Sequence, residues 1–252
     1  MAERLAPPRA HLVIGGGSGI GRRVCERLAR DGGVIGCLDR DAAGAAATAL
    51  LVDTAGGKAI ALTADVTDAA SVRSAVAAFH LAAGRIDGLV NCAGVTGKTN
   101  IKPHEVDLDD FDFVYRVNLK GALIVTQAVL PAMLAQNHGR IVHVASIAGK
   151  EGNAGMAAYS ATKAGLIGLV KSMGKDYAET GITINALAPA VIQTPMVDAL
   201  PQATVDYMTA KIPMRRTGTL DEAAEMIAWI VSPACSFTTG FTFDLTGGRA
   251  TY

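Results

Sequence analysis

Short apolar runs recur along the chain, and longer stretches with helical spacing of apolar positions separate them. Continuous apolar runs of this length predict strands that are buried on both faces of a sheet. Their alternation with helical stretches predicts a parallel sheet with right-handed crossovers. The predicted strands span residues 11–14, 34–38, 59–63, 89–92, 140–145, 183–188 and 241–245.

This pattern predicts an α/β fold, a Rossmann-like doubly wound parallel sheet of about seven strands with helices on both faces. A chain of 252 residues suits one such domain, so we expect a single dinucleotide-binding and catalytic domain over 1–252. In these sheets ligands bind at the carboxyl ends of the strands. Residues that carry chemistry are therefore expected where the apolar runs end.

Composition excludes several classes of function. Lysine and arginine together number 23, as do aspartate and glutamate, so the formal net charge is zero and no basic run favours nucleic acid. The first residues hold no apolar core of signal-peptide length, and no later run predicts a membrane span. We expect a cytoplasmic protein without a membrane or nucleic-acid partner.

The cysteines and histidines indicate no metal site. The cysteines show no Cys-x-x-Cys spacing and no companion histidines, so they are interpreted as small buried hydrophobic residues rather than ligands or disulfides. The residues concerned are Cys25, Cys37, Cys92 and Cys235, with His11, His80, His104, His138 and His143 scattered along the chain.

Candidate chemistry concentrates on Ser146, Tyr159 and Lys163. Tyr159 and Lys163 stand four residues apart, so they share one helix face, and Ser146 follows a predicted strand. A phenol has a pKa of about 10, and an adjacent ammonium or a bound nicotinamide cation favours the phenolate. A fall of about 3 units, worth ~4 kcal/mol, would let Tyr159 exchange a proton with an alcohol near pH 7.

A glycine-rich segment follows the first predicted strand, with glycines at positions 15, 16, 17, 19 and 21. Glycines there let the backbone approach a pyrophosphate, and the helix that begins at Gly21 offers free amides to the phosphate oxygens. The alternative is a plain turn between a strand and a helix. Its position after the first strand favours the nucleotide interpretation.

Asp39 ends the second predicted strand. A carboxylate there accepts hydrogen bonds from the adenosine ribose and repels a 2′-phosphate, which favours NAD over NADP. Arg40 leaves the preference open, because it could stack on adenine or pair with a 2′-phosphate. Asp65 and Val66, after the third strand, are interpreted as adenine contacts or as a simple helix N-cap.

Together these residues resemble the short-chain dehydrogenase/reductase family over essentially the whole chain. The matching pieces are Gly15-x-x-x-Gly19-Ile20-Gly21, Asp39, Asp65-Val66, Asn91-x-Ala93-Gly94, Asn118, Ser146, Tyr159-x-x-x-Lys163 and Pro189 to Thr194.

The resemblance implies a role for each catalytic residue. Tyr159 would donate or accept the proton, and Ser146 would hydrogen-bond the reacting oxygen. Lys163 would hold the nicotinamide ribose and lower the pKa of Tyr159, and Asn118 would support a water relay. The cofactor-binding residues it implies are Gly15, Gly17, Ser18, Gly19, Ile20, Gly21, Asp39, Arg40, Asp65, Val66, Asn91, Ala93, Gly94, Tyr159, Lys163, Pro189, Ile192 and Thr194.

Two positions depart from the family pattern. Ile14 stands where the family usually has threonine, so one turn hydrogen bond to the loop after the fourth strand is expected to be absent. Ala190 replaces the usual glycine after Pro189 and is expected to stiffen the segment that leads to the nicotinamide. Members of the family assemble through the helices that carry Asn118 and Tyr159, so the resemblance implies a homo-oligomer, a tetramer.

The substrate pocket is harder to predict. The loops after Gly94 and Ser146 are polar and would offer cations to a carboxylate and hydrogen-bonding groups to hydroxyls, unless Lys98 and Lys150 are simply solvated. Residues 191–216 are interpreted as a flap over the substrate, with ordinary helix packing as the alternative. Arg249 is a candidate carboxylate contact across a subunit interface. The candidate substrate residues are Thr96, Lys98, Ser146, Lys150, Glu151, Asn153 and Arg249.

Three functions compete. The first is an NAD-dependent dehydrogenase of small polar alcohols, most similar to the members of the family that act on 2-keto-3-deoxy sugar acids. The second is a 3-oxoacyl-(acyl-carrier-protein) reductase or another NADP-dependent ketoreductase, which Asp39 disfavours. The third is a nucleotide-sensing module without catalysis, which the presence of Ser146, Tyr159 and Lys163 disfavours.

Overall fold

The computed structural model describes residues 9–194, 197 and 202–252, with no side-chain description at 203 and 204. Its strands form one parallel sheet in the order β3-β2-β1-β4-β5-β6-β7. This confirms the predicted fold class and every predicted strand to within a residue or two. The strands are β1 Ala10–Ile14, β2 Val34–Asp39, β3 Lys58–Thr63, β4 Gly88–Asn91, β5 Gly139–Val144, β6 Ile182–Pro189 and β7 Thr242–Leu245.

Helices connect the strands. Several begin at side chains that cap the free amides of the first turn, such as Asp41, Asp68 and Thr219. The helices are α1 Gly19–Ala29, α2 Ala42–Thr54, α3 Ala69–Ala83, α4 Leu108–Tyr115, α5 Gly121–Ala135, α6 Ala148–Glu151, α7 Ala157–Asp176, α8 Gln202–Ala210 and α9 Leu220–Ile230, with a 3₁₀ turn at Pro103–Glu105 and a π-helical turn at Arg116–Lys120.

The sheet separates two hydrophobic cores. On one face, side chains from α3, α5 and α7 pack on the strands, with Phe79 fully buried among them. On the other face, α1, α2 and α9 contribute Val24, Val52 and Ile227. Neighbouring residues of one strand therefore enter opposite cores, Leu12 the first and Val13 the second. Both faces are covered, as the continuous apolar runs predict.

The strand register brings the carboxyl ends of the strands to one edge. Ile14 is level with Leu38 on one side and with Asn91 on the other, and Asn91 is level with His143. The loops that follow these strands consequently start side by side. Asp39 and Asn91 end strands at this edge, and Ser146 follows another.

One helical run, Leu108–Ala135, has the length and apolar composition of a membrane-spanning helix, which the sequence patterns did not predict. Val125, Val129 and Met133 of this run are fully buried in the protein core, whereas Leu108, Leu123 and Leu134 are exposed. Core packing accounts for the buried part of this apolar composition.

The four cysteines are free thiols, and only Cys92 is partly exposed. Within the ranges that the structure describes, no group of histidine, cysteine, aspartate or glutamate side chains is arranged to hold a metal ion.

Candidate active site

The glycine segment after β1 folds into a tight loop that only glycine allows at two positions. Gly15 has a φ of +74°, in the left-handed region that glycine adopts at little cost. A Cβ on Gly21 would lie 2.0 Å from the carbonyl oxygen of Gly15, so the first turn of α1 packs directly on the loop backbone. The loop and the start of α1 are thus held in backbone contact.

A cavity of about 410 Å³ opens over this loop along the carboxyl edge of β1, β2 and β4. Free amides at the start of α1 and the bare backbone of the loop form a cradle that fits a pyrophosphate. The predicted residues that line the cavity are Gly15, Ser18, Gly19, Ile20, Gly21, Asp39, Arg40, Asp65, Val66, Ala93, Gly94 and Thr194.

Asp39 combines a structural bond with a place on the cavity wall. Its Oδ2 accepts a hydrogen bond from the backbone nitrogen of Gly17 at 2.9 Å, and its Oδ1 accepts one from Asp41 at 3.0 Å. Gly17 thus contributes to the site through Asp39. The carboxylate lines the cavity together with the following residue, Arg40, where the ribose of a dinucleotide would meet it.

The side chain of Asp65 forms hydrogen bonds within a local turn. Its Oδ1 accepts hydrogen bonds from the backbone nitrogen and the hydroxyl of Thr67, at 2.8 and 2.7 Å, and these bonds lower the pKa of the carboxyl. The cap of α3 is Asp68, so Asp65 is not the N-cap. Asp65 and Val66 both line the cavity, where they remain candidates for adenine contact.

Asn91 lies beneath the cavity in a buried network. Its Oδ1 accepts a hydrogen bond from Ala93 at 3.2 Å, and its Nδ2 lies 3.1 Å from Nδ1 of His143. The other ring nitrogen of His143 lies 3.0 Å from the hydroxyl of Thr126, which itself donates to Ala122. This chain fixes a neutral His143 with its proton on Nε2, and burial lowers the pKa of His143 to about 3.

Ser146 and Tyr159 meet at the end of β5. The Ser146 hydroxyl, which follows the strand, accepts a hydrogen bond from the backbone nitrogen of Ala148 at 3.1 Å and interacts with the phenol of Tyr159 on α7. Burial raises the pKa of Tyr159, and the bond from Ser146 opposes that rise. The protein's own groups therefore do not give the depressed pKa expected from the sequence, which leaves the positive charge of a bound nicotinamide as the group that would lower it.

Lys163 lies one helical turn beyond Tyr159, with its ammonium 5.7 Å from the centre of the phenol ring. It is buried, and its Nζ donates to the carbonyl oxygen of Val144 at 2.7 Å. Burial lowers the pKa of Lys163 to about 8, so the group stays mainly charged at pH 7. A Cβ on Gly94 would lie 3.2 Å from this Nζ, so the glycine leaves the ammonium open toward the nucleotide cavity.

Asn118 belongs to the π-helical turn between α4 and α5. Its side chain bonds both backbone groups of Val95 at 2.8 Å and donates to the Thr162 hydroxyl at 3.2 Å. The amide therefore ties the loop after β4 to the helix that carries Tyr159 and Lys163. A π-helical turn of this kind is frequent at functional sites.

The segment after β6 runs along the same edge. Pro189 accepts a hydrogen bond from Ile147 at 2.9 Å, Ala190 donates to Leu245, and Ile192 is buried against Gly218. Thr194 reaches the cavity wall. Of the predicted flap, residues 195, 196 and 198–201 lie outside the described part, and α8 and the segment after it form the remainder.

The loop after β4 turns its polar side chains outward. Thr96 is exposed and bonds its own neighbour Gly97, while Lys98 forms an exposed ion pair with Asp107 at 2.8 Å. Lys98 thus matches the solvated alternative that the sequence left open.

The loop after Ser146 is tied to the end of the chain. Lys150 is bound to Asp244 at 3.3 Å and to the carbonyl oxygen of Tyr252, so its charge is already engaged. Arg249 pairs with Glu151 at 2.8 Å and reaches Asn153 at 3.4 Å. These contacts lie within one chain, and the predicted contact of Arg249 with a neighbouring subunit stays a prediction.

Sequence patterns missed part of the cavity wall. These residues are apolar and carry no motif: Ile14, Leu38, Ala64, Cys92, Val95, Phe113 and Val117. Most of them follow or end a predicted strand, so the ends of the apolar runs could have identified them. Phe113 and Val117 come from a helical run, and nothing in their spacing points to a cavity.

The fold and the cavity define a nicotinamide-dinucleotide-binding protein with a serine, a tyrosine and a lysine beside the cavity. The family model for short-chain dehydrogenases matches residues 9–204. The chain belongs to this family, whose members are oxidoreductases that act on CH–OH groups.

Two curated relatives and one solved structure illustrate the similarity. The chain is 44% identical to 2-dehydro-3-deoxy-L-rhamnonate dehydrogenase (NAD(+)) of Sphingomonas sp. (strain SKA58), covering 97% of this chain and 96% of that one. It is 37% identical to human (3R)-3-hydroxyacyl-CoA dehydrogenase, covering 94% of each. An actinorhodin polyketide ketoreductase variant solved with NADPH superposes with a TM-score of 0.91 at 33% identity, covering 97% and 98%.

Proposed function

We propose that this protein oxidises a secondary alcohol of a small polar hydroxy acid, a 2-keto-3-deoxy sugar acid, to the ketone, and runs the reverse reduction. The enzyme is an NAD-dependent oxidoreductase. The observation that carries the proposal is the meeting of Ser146, Tyr159 and Lys163 beside a cavity that Asp39 lines.

Each residue has a stated task in this reaction. Ser146 donates a hydrogen bond to the substrate oxygen, and Tyr159, as phenolate, takes the hydroxyl proton. Lys163 is assigned to the nicotinamide ribose, with its ammonium 5.7 Å from the centre of the phenol ring, and the positive charge of a bound nicotinamide would favour the phenolate. NAD, when bound, supplies the acceptor for the hydride of the carbinol carbon.

Asn118 and Val95 support this arrangement. Because the Asn118 side chain bonds both backbone groups of Val95 and also Thr162, it fixes the distance between the nucleotide loop and α7. We assign Asn118 to positioning and to the path by which the proton leaves Lys163. The cofactor set predicted from the sequence completes the site, with Asp39 as the group that discriminates against a 2′-phosphate.

A second candidate is a 3-hydroxyacyl thioester or 3-oxoacyl substrate. Its support is the similarity to (3R)-3-hydroxyacyl-CoA dehydrogenase and to the 3-oxoacyl-[acyl-carrier-protein] reductase of Escherichia coli, 37% identical over 94% of this chain. The catalytic residues would act identically on such a substrate. The polar side chains on the loop after Ser146 favour the sugar acid.

The deciding experiment is NADH formation by the purified protein with 2-dehydro-3-deoxy-L-rhamnonate, a neutral polyol and a 3-hydroxyacyl-CoA, each tested with NAD and NADP. We expect turnover with the sugar acid and NAD. Turnover only with the thioester would replace the substrate assignment and keep the catalytic one.

We also propose a homotetramer in the cytoplasm. Two separate surfaces expose large apolar side chains: Leu108, Tyr115, Leu123 and Leu134 on α4 and α5, and Trp229, Phe237 and Phe241 on and near α9 and β7. Two self-complementary surfaces are what a tetramer of two-fold symmetry requires. Sedimentation equilibrium tests the oligomeric state, and a monomer at micromolar concentration would contradict it.

A further inference from the structure

A second, polar cavity of about 500 Å³ lies outside the nucleotide cavity. Three separated segments build it: the end of α6 with the residues that follow, the residue after α8, and the segment after β7. Its polar and charged side chains are Glu151, Asn153, Lys211 and Arg249.

This cavity adjoins the catalytic residues. The backbone nitrogen of Asn153 donates to the hydroxyl of Ser160 at 3.0 Å, and Ser160 follows Tyr159 on α7. Glu151 ends α6, the short helix that begins two residues after Ser146. The wall of this cavity is therefore bonded to the residue after Tyr159 and belongs to the helix that begins just after Ser146.

Arg249 is an ordered cation with one free edge. Its Nε and Nη2 lie 2.9 and 2.8 Å from a carboxylate oxygen of Glu151, and Nη2 reaches Asn153 at 3.4 Å. The Arg249 side chain is only 11% exposed. Its Nη1 makes no hydrogen bond to any residue of the described ranges, so the guanidinium keeps donors for a ligand.

Lys211 supplies a second positive charge. Its Nζ bonds the hydroxyl of Tyr207 at 2.7 Å and stands 4.2 Å from the centre of that ring. The hydrogen bond from Lys211 lowers the pKa of Tyr207, and the charge of Arg249 lowers it more weakly. Both cations therefore lie close enough to Tyr207 to affect its ionisation. No carboxylate in the described part of the chain forms an ion pair with Lys211. The cavity thus holds two cations and one carboxylate.

The segment that carries Arg249 is fixed in place by Lys150. The Lys150 ammonium bonds Asp244 and the carbonyl oxygen of Tyr252, and the Tyr252 hydroxyl donates back to the carbonyl oxygen of Lys150 at 3.2 Å. These bonds hold the residues after β7 against α6. Arg249 is consequently positioned before any ligand arrives, which lowers the cost of binding.

We propose that this cavity is the subsite for the carboxylate of the substrate, with Arg249 as the residue that selects an acid over a neutral alcohol and Lys211 as its second cation. The inference rests on the proposed function and names the part of that site that recognises acidity. Since Nε and Nη2 of Arg249 pair with Glu151, its Nη1 is the nitrogen that would donate to the carboxylate, with Lys211 lining the same cavity, and a neutral polyol offers no charge to match.

The test uses binding as well as turnover. L-Rhamnonate, an aldonate that carries the carboxylate and the hydroxyls, is titrated calorimetrically into the complex of the full-length protein with NADH. We expect Arg249→Gln to weaken this binding about 10- to 100-fold, because one charge-assisted contact is lost. Arg249→Lys should recover part of the affinity, Lys211→Gln should show a smaller loss, and exposed Arg73→Gln on α3 serves as the matched control.

Turnover gives the second readout. In Arg249→Gln the KM for 2-dehydro-3-deoxy-L-rhamnonate should rise by a similar factor with kcat little changed, while the KM of a neutral polyol stays the same. NADH binding by the variant checks that it is folded. Equal aldonate affinity in wild type and Arg249→Gln would overturn the subsite, as would a wild type that does not bind the aldonate at all.

The two proposals fail in different ways. A wild type that oxidises only the thioester removes the proposed substrate, whereas aldonate binding that depends on Arg249 would still establish the carboxylate subsite. A wild type that oxidises the sugar acid with no loss in Arg249→Gln keeps the proposed function and removes the subsite.

Discussion

The nucleotide half and the substrate half of the site are built by different means. Around the glycine loop, backbone lies against backbone, and a single Cβ on Gly21 would meet the Gly15 carbonyl oxygen at 2.0 Å. Around the second cavity, side chains from distant segments pair, as Arg249 does with Glu151, 98 residues away. In the nucleotide half, close backbone contact leaves room only for glycine at positions such as Gly21. In the substrate half, a side chain can be replaced as long as its partner still balances its charge.

This difference decides how each half can change. A restricted backbone holds the nucleotide in one place whatever the substrate is. Paired side chains can be exchanged for other pairs without disturbing the sheet. A family that shares one cofactor site and differs in substrate is the expected result.

The largest effect is expected at the residue that joins the two halves. Tyr159→Phe removes the group that takes the substrate proton, so kcat should fall about 10²- to 10⁴-fold. NADH affinity should be nearly unchanged, since the bond of Lys163 to Val144 does not involve the phenol hydroxyl. Steady-state turnover and NADH fluorescence titration measure both.

Tyr115→Phe is the matched control, because Tyr115 is 43% exposed on α4 and does not line the nucleotide cavity. It should retain wild-type turnover. If Tyr159→Phe also kept wild-type kcat, Tyr159 would not be the proton-transfer group.

The contrast between the halves also explains what could be predicted from the sequence. The sheet was predictable because apolar runs end at nearly the same residues as the strands, and Ser146 could be placed at its edge from that, whereas Tyr159 was assigned through its spacing to Lys163 and the family resemblance. The environment of Lys150 was not predictable, since nothing in the neighbouring sequence indicates that its ammonium would bond Asp244 and Tyr252. Pairings between distant loops depend on the folded geometry, and residue spacing does not encode them.

The next largest effect tests the backbone contact of the nucleotide half. Gly21→Ala places a methyl group against the Gly15 carbonyl, so the loop must shift. Overpacking of this kind costs about 1–3 kcal/mol, which corresponds to a roughly 5- to 150-fold loss in NAD affinity if the strain is relieved in the loop. Titration with NADH measures the loss of cofactor affinity, and the midpoint of thermal unfolding measures the loss of stability.

Gly168→Ala is the control for Gly21→Ala. Gly168 lies in α7 with no heavy atom within 4 Å of the added Cβ, so this change should leave NAD affinity unaltered and stabilise the helix slightly. A Gly21→Ala protein with normal NAD affinity would show that the loop tolerates side chains.

The third prediction concerns the preference for NAD over NADP, which should depend on the nucleotide half alone. Asp39→Asn removes the charge but keeps an oxygen for the bond to Gly17, so the loop should stay in place. The preference for NAD over NADP, as the ratio of kcat/KM, should fall about 10- to 100-fold, the value of one or two bonds to a charged group. Asp53→Asn, at an exposed carboxylate that bonds Ala59, should leave the ratio unchanged, and an unchanged ratio in Asp39→Asn would assign the choice to other residues.

The smallest expected effect concerns pH and the histidines beneath the nucleotide half. Burial lowers the pKa of His143 to about 3 and that of His11 to about 4, both below the ordinary value of 6.5. Protons therefore bind the unfolded chain more tightly, so the stability is complete above pH 6.5 and falls as the pH drops through 6.5 toward the folded pKa values.

Between pH 6.5 and 5 each buried histidine should cost about 2 kcal/mol of unfolding free energy. His143→Gln should flatten this loss even where it destabilises the protein at pH 7, so the slope with pH is the quantity to compare in urea unfolding. His104→Gln, at an exposed histidine, should keep the wild-type slope. Asn91 bonds His143 and accepts a hydrogen bond from Ala93 in the cavity wall, so acid should weaken NAD binding as well. A His143→Gln slope equal to that of the wild type would show that His143 does not cause the loss of stability in acid.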